Sequence, residues 1–183
     1  TEVYVIMRVE GVAMNAGRCA VGSILFLLTV SCAKSDQTSR PVEEGILLFD
    51  NLGSHHHAVT TTNEMAQKYF DQGLRLVYGF NHDEAERAFR EAARLDPSLA
   101  MAWWGVAYTL GPNYNLAMDA KRNSAALEAV QKAQSLQGGA SEPERDYIAA
   151  IATRYSADPK ANRADLDRAY GNAMKELHNK YSD

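Results

Sequence analysis

The sequence predicts an all-α fold, about three helix–turn–helix units stacked as an α-solenoid behind a signal peptide and an irregular N-terminal segment. Three observations carry that reading. From Glu64 onward, apolar residues recur at intervals of three and four, the spacing of one helix face. Glycine, proline and asparagine break the pattern where helices should end. Residues of like type also return 34 positions apart, Tyr69 mapping onto Trp103 and Gly73 onto Ala107.

Composition narrows the function classes. The chain has 183 residues, 46% of them hydrophobic, with 19 Lys and Arg against 23 Asp and Glu, a formal net charge of −4. Nucleic acid is excluded as an expected partner, because binding it needs clustered cations to replace phosphate counterions. Two cysteines rule out a disulfide-rich scaffold or a four-thiolate zinc module.

Residues 1–32 read as upstream residues plus a signal peptide. The apolar run from Cys19 to Val30 is shorter than the ~20 residues a membrane-spanning helix needs. Arg18 precedes it and small residues follow, as in a secretory leader, with Met14 or Met7 as the start. Thr29-Val30-Ser31-Cys32 followed by the polar AKSDQTSR resembles a bacterial lipoprotein signal, although Thr29 stands where that family prefers Leu. The resemblance implies lipidation of Cys32 as the first mature residue. With Ala33 next, it also implies an outer-membrane lipoprotein facing the periplasm, the membrane touched only through that anchor. Simple secretion and a buried core helix are the other readings. On either exported reading Cys19 is removed, and with Cys32 lipidated the mature domain has no thiol for a disulfide, a nucleophile or a metal ligand.

Residues 33–63 form a polar, irregular linker containing Pro41 and Gly53-Ser54, in which Ile46 to Phe49 could pack as a short strand or turn. Residues 64–97 make the first helical unit. Its first helix runs from about Glu64 through Val77 and Tyr78 to the break at Gly79. Asn81 or His82 caps the second helix, whose opening Asp83 and Glu84 suit the positive end of the helix dipole. Asp96-Pro97 ends that helix and is expected to start the next, Asp as N-cap and Pro at the first helical position. In the second unit, 98–138, a helix ends near Leu110, GPNYN (111–115) is loop, and a helix follows from Ser124 to Leu136. The third unit, 139–183, has helices from Ser141 to Tyr155 and from Ala164 to Tyr181, the latter turning Tyr170, Ala173 and Leu177 inward.

Within the first unit, Gly73, Ala85, Phe89, Ala92 and Pro97 stand at the spacings of the tetratricopeptide signature, and the chain resembles that family. Gln72 departs from it, since a large aliphatic residue is usual there. Residues 46–183, from LGSHHH through FDQGLRLVYGFNH and MAWWGVAYTLGPNYN to KELHNKYSD, resemble the start of longer bacterial secreted tetratricopeptide-repeat proteins. This implies an N-terminal fragment or a shortened relative. The family binds extended peptides or partner helices in a concave groove, which transfers to Gln67, Phe70, Leu74, Val77 and Tyr78 of the first unit and Met101, Trp104 and Tyr108 of the second. Trp103 becomes the core residue and Trp104, ~100° further round the helix, faces the groove. The alternative is that Phe70, Tyr78 and Trp104 are covered by segment 42–60 or by adjacent repeats.

The competing function class is a periplasmic metal- or small-ligand-binding protein. In an extended segment His55 and His57 share one face and could meet His82 on a divalent metal, with the 111–115 loop completing a ligand site. A solvated loop with one capping histidine is the plainer reading. No phosphate-cradling glycine loop, G-x-S-x-G elbow or H-E-x-x-H pair is present, so no enzyme is expected. The carboxylate pairs Glu43/Glu44, Asp83/Glu84 and Glu142/Glu144 are explained by helix starts or solvated surface. A third reading is a noncatalytic subunit of an envelope enzyme complex. The expectation is a non-enzymatic envelope scaffold without cofactor, binding a protein or peptide through its groove.

Overall fold

The computed structural model describes residues 45–181; the expected signal peptide and Cys32 lie outside them. Six α-helices follow one another and no strand forms among the described residues, so the fold is all-α. They are α1 (Glu64–Tyr78), α2 (His82–Leu95), α3 (Ala100–Leu110), α4 (Ala120–Leu136), α5 (Glu142–Ala152) and α6 (Arg163–Tyr181). Each packs on the next in sequence, and α1, α3 and α5 also touch in turn. Ile46 to Phe49 is irregular rather than strand.

The helix ends show why the boundaries fall where they do. Asn63 opens α1 by accepting from the N–H groups of Met65 and Ala66, two of the donors a helix start leaves unpaired. The helix closes on a left-handed turn: the Phe80 N–H donates to the Val77 carbonyl and the Asn81 N–H to that of Leu76. Phe80 carries the positive φ of 61° that this motif requires, while Gly79 stands one position too early to take it. Asn81 then caps α2 through the Glu84 N–H. Ser141 and Glu144 make a reciprocal capping box at α5, with Pro143 in the first turn.

Two expected starts are corrected. Helix α3 begins at Ala100 with no side-chain cap, not at Asp96-Pro97. The Asp96 carboxylate is engaged by Thr61 and Ser98 instead, which holds 96–99 as a turn. Helix α4 begins at Ala120, capped by Asp119, four residues before the expected Ser124; its polar first turn had concealed it.

Phe89 of α2 is the wedge of the core and is fully buried. A Cβ on Gly73 of α1 would lie 2.7 Å from its ring, and one on Gly105 of α3 would run into the same ring. Two glycines therefore let one aromatic side chain fill the space between three helices. Burying a ring of this size is worth about 2–3 kcal/mol. Trp103 is only half-buried, with the Arg90 guanidinium over its ring at 6.0 Å, whereas Trp104 is the buried neighbour.

Candidate binding site

Helices α1, α3 and α5 present one face, and the protein's own chain crosses part of it. The segment from Ile46 to Thr61, called the strap below, has neither helix nor strand of its own. Its backbone is held by side chains. Gln72 donates to the Leu47 carbonyl (3.0 Å) and accepts from the Phe49 N–H (2.8 Å). Gln67 repeats the arrangement ten residues on, donating to the His57 carbonyl (2.9 Å) and accepting from the Val59 N–H (3.0 Å). Asp71 accepts from the His57 N–H and pairs with Nδ1 of His56 at 2.7 Å, and Arg75 donates to the His55 carbonyl. At the far side Glu144 of α5, only 5% exposed, accepts from both the N–H and the hydroxyl of Thr60. Burial opposes the charge on Glu144, but the hydrogen bonds from Thr60 and Ser141 outweigh it and hold the carboxyl below its usual range.

Rings continue the cover. His57 lies against Phe70 and Tyr147, Tyr147 meets Trp104 edge-on at 5.9 Å, and Trp104 stacks on Tyr108 at 5.2 Å. Of the expected groove residues, Phe70, Leu74, Val77, Met101 and Trp104 are therefore interior, Trp104 at 7% exposed. The indole N–H of Trp104 is buried with no hydrogen-bond partner among the described residues. Gln67 is spent on the strap. Tyr78 remains 61% exposed and Tyr108 half-buried, so the face is open only toward the C-terminal ends of α1 and α3.

That open end leads into a second feature. A cavity of about 220 Å³ lies among Tyr78, Phe80, His82, Tyr108, Arg154 and the turn from Gly111 to Asn113. Three arginines gather at the helix ends here, where carbonyls lack helical partners. Arg122 donates to the carbonyls of Gly111 and Ala117, Arg154 to that of Pro112, and Arg163 to that of Arg154. The Tyr155 hydroxyl donates to the Ala107 carbonyl. Both ring nitrogens of His82 are buried with no hydrogen-bond partner among the described residues. Burial first, and then the nearby Arg122 charge, lower its pKa, so the imidazole is neutral near pH 7.

The proposed metal triad does not assemble. His55 lies against Tyr78, His57 against Phe70 and Tyr147, and His82 against Phe80. No group of three or more His, Cys, Asp or Glu side chains is placed to hold a metal among the described residues. Of that constellation only His82 and the 111–113 turn share a site. Asp71, Gln72 and Glu144, which carry the strap, were missed as site residues. Gln72 alone offered a cue, as a polar residue at an aliphatic position.

Comparison with family models, curated proteins and solved structures finds no match. No helix among the described residues is long and apolar enough to cross a membrane.

Proposed function

We propose that the chain is a non-catalytic binding scaffold of tetratricopeptide type, an α-solenoid that engages an extended segment of a partner protein or peptide. The observation that carries this reading is the way α1 holds the strap. Two glutamine amides each take a carbonyl and the N–H two residues later, the pair that an extended backbone offers along one edge. Helix α1, equipped at two points on its surface to grip extended chain, already grips one, and the stretch at Tyr78 and Tyr108 is open. The packing of each helix on its successor supports a solenoid, and a leader ending at Cys32 would place it in the bacterial envelope.

The partner then docks beside the strap, with Tyr78 as the anchoring ring; large rigid aromatics carry a disproportionate share of binding energy. Peptide display on the full chain, repeated with Tyr78→Ala, tests this. Sequences enriched on the natural chain and lost on the variant are expected. Enrichment that ignores the substitution, or none above background, removes the proposal.

A further inference from the structure

We propose that the cavity beside His82 is a binding site for a small organic carboxylate bearing one aromatic or branched apolar group. Its walls set the apolar part. Tyr78, Phe80 and Tyr108 surround a space of about 220 Å³. A dry cavity of about 150 Å³ accepts benzene, so there is room here for a ring and a carboxylate beside it.

The polar groups set the charge. Arg154 lines the cavity and Arg122 lies close to His82. Both guanidiniums donate to main-chain carbonyls, and neither has a carboxylate within ion-pair distance among the described residues. Nε of Arg154, like the His82 nitrogens, is buried without a hydrogen-bond partner among them. Asp83, whose charge acts on His82, does not line the cavity. The excess is positive, and a guanidinium matches a planar carboxylate. A phosphate would demand more donors than these aromatic walls supply. A cation would face the Arg154 guanidinium, with the Arg122 charge acting on His82 nearby.

Phe80 supplies one wall of the cavity. It is 64% exposed, left-handed in backbone, and edge-on to His82 at 6.2 Å. An L-residue in that conformation costs roughly 1–2 kcal/mol that glycine would avoid. The left-handed turn that closes α1 takes this conformation and sets the ring beside the cavity.

The test titrates the full chain with phenylacetate, phenylacetamide and 2-phenylethylamine, reading heat and the imidazole nitrogen resonances of His82. Phenylacetate is expected to saturate one class of site and move those resonances. The amide should bind about tenfold more weakly or worse, and the amine not at all. Phe80→Gly, which relieves the strained backbone, should raise the thermal midpoint while weakening phenylacetate about tenfold. Phe80→Asn, also at ease with positive φ, serves if the glycine variant fails to fold. Equal binding of all three probes, unchanged binding in the folded Phe80 variants, or no binding of phenylacetate would each overturn the site.

Discussion

Gln67 and Gln72 grip the strap in the same way at two places, each amide bridging a carbonyl and the N–H two residues further on. Five positions apart, they stand on different sides of α1, so the strap passes round the helix rather than along it. Gln72 is 2% exposed, and no water can replace its bonds without opening the edge of the domain.

Replacing Gln72 with Leu should therefore cost about 1–3 kcal/mol despite restoring an aliphatic residue, because Leu47 and Phe49 keep polar backbone groups with nothing to meet them. Gln67→Leu should cost less, since that side chain is only half-buried. Hydrogen exchange separates the two effects. Protection should fall at Phe49 in the first variant and at Val59 in the second. Equal protection in both would show that the strap is held by its apolar residues alone.

Gly105→Ala sets helix propensity against packing. Alanine is favoured over glycine in a helix by about 1 kcal/mol. The new methyl group, however, would fall onto the Phe89 ring, which also packs directly against Gly73. Overpacking of a closed core costs typically 1–3 kcal/mol, so a net loss is expected, measurable as a lower denaturant midpoint. The double variant Gly105→Ala/Phe89→Leu should recover part of the loss relative to Phe89→Leu alone. A stabilised single variant would mean that the ring has room to move.

The cap on α2, expected at Asn81 or His82, was legible because Asn81 bonds a backbone N–H only three residues on. Phe89 and its small neighbours were legible because helical spacing fixes which positions face inward. Asp96 misled for the opposite reason. Its carboxylate is recruited by Thr61, 35 residues earlier, and a local cap reading cannot weigh that contact. Glu144 was assigned to a helix start, which it is, yet its second use depends on Thr60, 84 residues away. Trp104 was expected to face an open groove, with cover by segment 42–60 or adjacent repeats as the alternative; it is 7% exposed, with Tyr147 edge-on to it, a contact 43 residues away in sequence.

Glu144 also ties stability to acid. Its folded-state pKa lies below the usual glutamate value of 4.5, so the unfolded chain takes up a proton first as pH falls. The stabilisation is fully present above pH 4.5 and drains away as pH drops through the folded value. Denaturant midpoints measured from pH 6 downward should show a decline that Glu144→Gln flattens, with the variant already weaker at neutral pH because the amide cannot accept from Thr60 at both atoms. Parallel curves for the two proteins would assign the acid transition to other groups.

At the alkaline end Tyr155 works with the opposite sign. Burial pushes its phenol up to about 12, against the lowering influence of Arg154 and Arg163, and its hydroxyl donates to the Ala107 carbonyl. The unfolded chain loses this proton near pH 10, the folded chain two units later, so stability is intact below pH 10 and is lost as pH rises toward 12. A shift of that size corresponds to about 2–3 kcal/mol for a group this buried. Tyr155→Phe should be weaker by about 1 kcal/mol at pH 8 through the missing hydrogen bond, yet fall more gently between pH 10 and 12. Tyr170, raised in the same direction, leaves a residual slope in the variant. Identical slopes would mean that Tyr155 ionises without unfolding cost, which its place beneath α3 should not allow.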